Sequence, residues 1–298
     1  MLHIVATMNC DPVALSNKDT DAPRGWVTSA RAIEGFCTAM LGAALTPTLF
    51  LAPECAAEHR PMLDELIGQG VELGLLVHPP RIVGARLKDH LGVYGPVDQR
   101  QIIDFAAERF ADTLGVRPRS FRSGFFSGSE TTFSTLAELG FRQSSISRPG
   151  AEFQRLGVRW HGAKQDAHYA SAADRLAPGD LPLFELPATT DPSVQQVNQL
   201  PLELNTDVVA ENPAIQTGLI ATRLAQMDRE RVAFRALCLT ASNRFDYYDR
   251  ASAYRQNIER LLDRLAVIAE TETLRGVTLS GAHERYRRTL AGDYPETE

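Results

Sequence analysis

The chain has 298 residues, 44% hydrophobic and 23% charged, with a formal net charge of −6. That length is enough to bury a substantial core in one large α/β domain, and the acidic balance, with no basic block, argues against nucleic acid or an anionic membrane surface as a partner. No apolar run approaches the roughly 20 residues that span a bilayer, so no membrane partner is expected.

The first ten residues, MLHIVATMNC, pass straight into an apolar run without a basic leader or a small-residue cleavage site, which does not read as a signal peptide. Cys10, Cys37, Cys55 and Cys238 are scattered and show no CxxC spacing. Neither a disulfide framework nor a zinc knuckle is expected, and a reducing cytoplasm is the expected compartment.

Residues 2–8 predict a strand that leads into Asn9, Cys10 and Asp11. The spacing of Ala30, Ile33, Phe36, Cys37, Met40, Leu41 and Ala44 predicts an amphipathic helix with Thr28 or Ser29 as N-cap. Residues 46–54 predict a second strand, and residues 61–68 a helix with Pro61 in its first turn. The stretch GVELGLLVHPP, residues 70–80, predicts a third strand, with Val71, Leu73, Leu75, Leu76 and Val77 buried on both faces and His78 at its end. A loop over 81–96 carries His90. Ile102, Phe105, Ala106, Arg109, Phe110 and Leu114 predict a helix over 98–114, closed by Gly115 as the C′ residue.

SFRSGFF, residues 120–126, predicts the fourth strand; a helix over 130–139 and a short fifth strand over 143–147 follow. Residues 148–182 read as a long irregular segment containing Trp160, His161, His168 and Tyr169, and loops of that length in a compact domain are often functional. A sixth strand over 183–188, a helix within 212–232 and a seventh strand over 234–240 come next, then SNRFDYYD, a helix over 253–270, a strand over 276–280, a short helix and a charged tail over 291–298. This alternation is the signature of a parallel sheet, open or closed into a barrel, and residues 1–290 are expected to form one domain.

Polar groups stand at four strand ends: Asn9 and Asp11, His78, Arg122, and Ser242, Asn243 and Asp246. Taken singly, each is most simply a hydrogen-bonded structural group. If the sheet closes, they converge on one mouth, where ligands and catalytic groups collect. Trp160, Tyr169, Phe245, Tyr247 and Tyr248 fall in or beside the expected mouth loops, where aromatic faces would stack on sugar rings.

The order Asn9-Cys10-Asp11, PTLFLAPE, GVELGLLVHPP, RSFRSGFF with ETTFSTLAELGFRQSSIS, and ELPAT resembles polysaccharide deacetylases of the NodB-homology type, through most of the chain. The resemblance implies an irregular (β/α)7-type barrel. It also implies a hydrolase that removes an acyl group from a carbohydrate or other acylated small substrate with a divalent metal, commonly zinc. On this resemblance Asp11 and His78 are the metal ligands, Asn9 stands at the position of the catalytic base and Arg122 at that of the residue orienting it. His168 is the loop histidine best placed to supply an acid, and Trp160, Tyr169, Asn243, Phe245 and Tyr247 are substrate contacts.

Three positions depart from that pattern. Asn9 carries an amide, which cannot accept a proton at neutral pH. Leu76 stands where a second histidine ligand is expected, and near Ala241 and Ser242 there is neither the histidine nor a carboxylate to act as acid. His90, His161 and His168 are the loop residues that would re-supply a ligand or an acid. A deacetylase-like hydrolase, a catalytically silent barrel that binds a carbohydrate or protein, and a different C–N hydrolase or metal-free activity all remain open at this point.

Overall fold

The computed structural model describes residues 1–14, 19, 20, 22–82, 84, 86–195, 200–207 and 214–292; from residue 293 onward the expected tail lies outside the described residues. Strand β1 (Leu2–Cys10) is followed by helix α1 (Trp26–Gly42), β2 (Thr48–Leu51), α2 (Pro53–Glu58), α3 (Arg60–Gly68) and β3 (Glu72–Val77). Then come α4 (Pro96–Leu114), β4 (Ser120–Ser123), α5 (Thr132–Glu138) and β5 (Gln143–Ser144). The irregular segment contains β6 (Glu152–Phe153), β7 (Val158–Arg159) and β8 (His168–Tyr169), and leads to β9 (Phe184–Glu185), β10 (Thr190–Gln195) and β11 (Pro201–Glu203). The chain continues with α6 (Ala214–Glu230), β12 (Arg235–Ser242), α7 (Ala253–Ala269), β13 (Leu274–Gly276) and α8 (Leu279–Ala291).

The main sheet runs β12-β1-β2-β3-β4-β5-β9-β8, with β13 beside β1; all its pairs are parallel except β8 with β9. It curls until irregular segments close the gap. The Ala188 N–H donates to Ser147 O (3.0 Å) and the Thr189 N–H to Cys238 O (3.3 Å), which joins the far side of the sheet to β12. Residues 204–206 then run along β12, with the Thr240 N–H donating to Leu204 O and the Thr206 N–H to Thr240 O (both 3.0 Å). The result is the irregular (β/α) barrel that the alternation predicts.

Period-2 alternation divides the core. Ile4, Ala6 and Met8 of β1 face the helices, whereas Val5 packs inside the barrel with Phe50, Leu76, Phe184, Leu186 and Cys238. Leu76 is therefore part of an apolar plug below the mouth. α8 closes the opposite end, where Leu279 and Ala282 join that plug and the Leu279 N–H donates to Thr48 Oγ1 at the start of β2 (2.9 Å).

Several boundaries differ from the sequence reading. α1 starts at Trp26 with Gly25 as its cap and no side-chain capping bond, so Ser29 is an interior residue. β2 stops at Leu51 because Pro53, which lacks an N–H for the sheet ladder, opens α2 instead. The strand expected over 276–280 is β13 ending at Gly276; Thr278 caps α8, its hydroxyl accepting from the Gly281 N–H (3.1 Å). The antiparallel pair β10–β11 was not expected, since Pro192 and Pro201 interrupt the strand pattern. α4 ends as expected, with Gly115 in the left-handed region (φ 75°). Among the described residues, no helix is long and apolar enough to cross a membrane.

Candidate functional site at the barrel mouth

The C-terminal ends of β1 and β3 bring Asp11 and His78 together. His78 Nδ1 lies 2.9 Å from Asp11 Oδ1, and a carboxylate accepting there places the imidazole proton on Nδ1. Nε2 is left without a hydrogen bond to any described residue. Two prolines stiffen the next step: Pro79–Arg81 forms a single 3₁₀ turn, and the Arg81 N–H donates to His78 O (2.8 Å). That turn folds the Arg81 guanidinium back over the dyad, 3.1 Å from Asp11 Oδ1 and 2.6 Å from Asp19 Oδ1.

Asp11 is held through its backbone as well. Asn243 Oδ1 accepts from the Asp11 N–H (3.0 Å), and Asn243 Nδ2 donates to Asp11 O (2.9 Å) and to Ser29 Oγ (2.7 Å). Burial raises the Asp11 pKa, but His78 and Arg81 outweigh it and keep the carboxyl below its ordinary 3.8. Asp11 is thus an anion at neutral pH, aimed at one imidazole nitrogen.

The wall beside His78 comes from the turn after β4. A Cβ on Gly124 would sit 2.6 Å from the His78 ring, so only glycine leaves the imidazole its seat. Phe125 and Phe126 both have left-handed backbones (φ 57° and 59°), an arrangement that costs energy and is found mainly where function or packing imposes it. It sets the Phe125 ring edge-on to His78 and His90, at centroid distances of 5.3 and 5.0 Å, with Phe125 still 37% exposed.

Below the mouth, Arg122 fills the barrel. Its guanidinium donates to Ser145 O (2.8 Å), Ser145 Oγ (2.7 Å), Thr7 Oγ1 (2.8 Å) and Asn9 Oδ1 (3.2 Å), and lies over the Phe50 ring. Burial lowers the Arg122 pKa, although guanidinium stays charged in proteins. Asn9 therefore lies beside Arg122, as the resemblance implies, but as an amide acceptor.

A catalytic zinc site needs about three protein donors with one position left open. Among the described residues no group of three or more His, Cys, Asp or Glu side chains could hold a metal ion. Asp11 and His78 are two donors, a guanidinium already contacts the same Asp11 oxygen, and Leu76 belongs to the apolar plug. The donors among the described residues do not make up a divalent-metal site.

Most of the expected substrate contacts lie away from the dyad. Trp160 is fully buried, donating through Nε1 to Phe126 O (2.6 Å) and packing against Phe133. His168 is buried with Nδ1 2.8 Å from Asp166 O, and Tyr169 lies at the barrel floor beside His283 and Tyr286 of α8. The cause is the reversed direction of β8, which pairs with β9 and carries both residues away from the mouth. Phe245 stacks on Tyr254 of α7 (4.1 Å), and Tyr247 is fully buried, with its hydroxyl 3.0 Å from Thr206 Oγ1. Asn243 reaches the site as a clamp on Asp11. His161 is exposed, whereas His90 comes within 5.3 Å of His78, ring to ring.

Sequence reasoning missed Arg81 and Phe125; the only signals were a rigid Pro-Pro step after His78 and the glycine before Phe125. It also missed Asp207, which does bring a carboxylate to the end of β12. Asp207 Oδ1 accepts from the Ser242 N–H (3.0 Å) and from the Tyr247 hydroxyl. Burial pushes its pKa up to about 6, against the lowering effect of its bonds to Tyr247 and Ser242.

No protein-family model and no curated protein sequence matches the chain. Solved structures do, polysaccharide deacetylases among them. A Mycobacterium smegmatis protein assigned as a polysaccharide deacetylase aligns with 100% of this chain and 93% of its own, at 16% identity and a TM-score of 0.61. A probable polysaccharide deacetylase from Pseudomonas aeruginosa PAO1 covers 99% and 93%, at 12% identity and a TM-score of 0.61. The allantoinase Puue covers 99% and 92%, also at 12% identity and a TM-score of 0.61. The chain has the polysaccharide deacetylase fold, in a widely diverged sequence.

Proposed function

We propose that this protein is a metal-independent hydrolase of a small acylated substrate, carbohydrate or otherwise, with His78 as its general base. The observation that carries the reading is the Asp11–His78 dyad, in which Nδ1 is held by a buried carboxylate and Nε2 is left for substrate. In the reaction Nε2 takes a proton from water as the water oxygen bonds to the acyl carbon. The bond from that carbon to the leaving oxygen or nitrogen then breaks, and His78 returns the proton to the leaving atom. Asp11 fixes the ring and stabilises the imidazolium, Arg81 keeps Asp11 ionised, and Phe125 supplies an aromatic face for the substrate. The names of the structural neighbours, two deacetylases and an allantoinase, support acyl transfer to water as the reaction class.

The test is release of acetate from acetylated sugars and of acid from small cyclic amides, with and without a chelator. Turnover that survives the chelator and disappears in His78→Ala is the expected result. Chelator-sensitive turnover, with a stoichiometric metal in the purified protein, would overturn it. Asn9 occupied by Arg122 favours a second reading, a binding protein without turnover. Saturable sugar binding with no product, in wild type and in Asn9→Asp alike, would establish that reading.

A further inference from the structure

Outside the barrel, α6 and α7 enclose a cavity of about 200 Å³ lined by Asn205, Gln216, Thr217, Asn257, Arg260 and Arg264. Arg260 and Arg264 stand one turn apart on α7, and neither forms an ion pair with a described residue. On the same helix Arg255 pairs with Glu259 at 3.0 Å, whereas Arg260 and Arg264 have no such partner among the described residues. Like charges at this spacing repel. Two further atoms are unsatisfied at the cavity: Arg264 Nε and Gln216 Oε1 are buried without a hydrogen-bond partner.

The rest of the wall is pre-ordered. Gln216 Nε2 donates to Glu203 O (3.1 Å) and Asn205 O (3.3 Å), and Asn257 Nδ2 donates to Thr206 O (3.0 Å). Gln216 and Thr217 belong to the first turn of α6, whose positive dipole end faces the same space. Among the described residues no carboxylate lines this cavity. The cavity beside α8 differs in that respect, because there Arg142 and Arg287 share the wall with Asp180.

We propose that the α6–α7 cavity binds a small phosphate monoester. Paired guanidiniums match the oxygen geometry of phosphate, the orphaned Gln216 Oε1 suits the P–OH of a singly protonated phosphate or a neighbouring hydroxyl, and the volume leaves room for a small organic remainder. The site is separate from the mouth and independent of the hydrolase reading. It is nonetheless connected to the mouth: Thr206 on its wall bonds to Tyr247, whose hydroxyl reaches Asp207 and through it the end of β12.

The experiment is calorimetric titration and thermal melting of the full chain in a phosphate-free buffer, with inorganic phosphate and glycerol phosphate as probes and sodium chloride at matched ionic strength as control. Saturable binding and a rise in Tm with both probes but not with chloride are expected, with glycerol phosphate the tighter of the two. Binding should weaken roughly tenfold or more in Arg264→Gln, as charge-assisted hydrogen bonds are lost. Arg260→Gln, at an exposed position that folding does not need, should weaken it as well. No saturable binding, or equal binding in both variants, would overturn the proposal.

Discussion

At the mouth of the barrel His78 faces a carboxylate; at the floor His283 faces arginines. His78 Nδ1 is held by the ionised Asp11 carboxylate, which fixes the ring. His283 is wedged between Gln143 Nε2 (2.9 Å) and the Tyr169 hydroxyl (3.2 Å) and stacked on Phe184; burial first, then Arg287 and Arg142, push its pKa down to about 4. The first ring is oriented by a carboxylate, whereas the second is kept neutral at pH 7 by burial and its arginine neighbours.

The contrast is most directly broken by His78→Ala, which should lower turnover by about 10²–10⁴-fold, the usual contribution of a positioned base. His283→Gln should leave turnover unchanged; an equal loss in both variants, in steady-state kinetics, would mean that the floor and not the mouth does the chemistry. Arg122→Ala probes the interior that separates the two ends. It removes a fully buried guanidinium and strips a partner from Thr7, Asn9 and Ser145, so urea titration should show a loss of about 3–5 kcal/mol.

Acid should then separate the two ends by pH. The unfolded chain protonates His283 near 6.5 and the folded chain only near 4, so this site costs stability as pH falls from 6.5 to about 4. Asp11 has the depressed pKa of a paired carboxylate, so its stabilisation is present above 3.8 and lost as pH falls further, through its folded value. His283→Gln should flatten the fall in Tm across the upper window only, and Asp11→Asn the lower one only. The smallest expected effect is that of a chelator, which should shift neither Tm nor rate.

Much of the frame was legible in the sequence. Apolar periodicity located β1, β3, α4, β12 and α7 to within a few residues, because those segments bury one stripe or both faces of a regular element. Asp11 and His78 were legible as strand-end groups, yet nothing local joined them, since 67 positions separate the pair and only the parallel order β1-β2-β3 brings their ends together. Arg81 read as the start of a loop, and its role depends on where a two-proline turn delivers a long side chain.

The aromatic residues misled for a related reason. Trp160, Tyr169 and Tyr247 sit in segments without periodicity, and such segments are normally expected at the surface. Here they pack back on the barrel because each polar tip finds a partner: the Phe126 carbonyl, His283 and Asp207. A sequence shows which rings are present but not which of them have somewhere to hydrogen-bond indoors.

The paired left-handed residues Phe125 and Phe126 give the mouth a mechanical character. Conformations of this kind hold roughly 1–3 kcal/mol each, and this one is latched: the Trp160 indole grips the Phe126 carbonyl, while Arg122 and Arg148 flank the Phe126 ring. The wall that sets Phe125 against His78 is thus fastened by a contact from the irregular segment between β7 and β8. Trp160→Phe, which removes that indole N–H, should therefore loosen the wall beside His78 without altering Asp11 or His78 themselves.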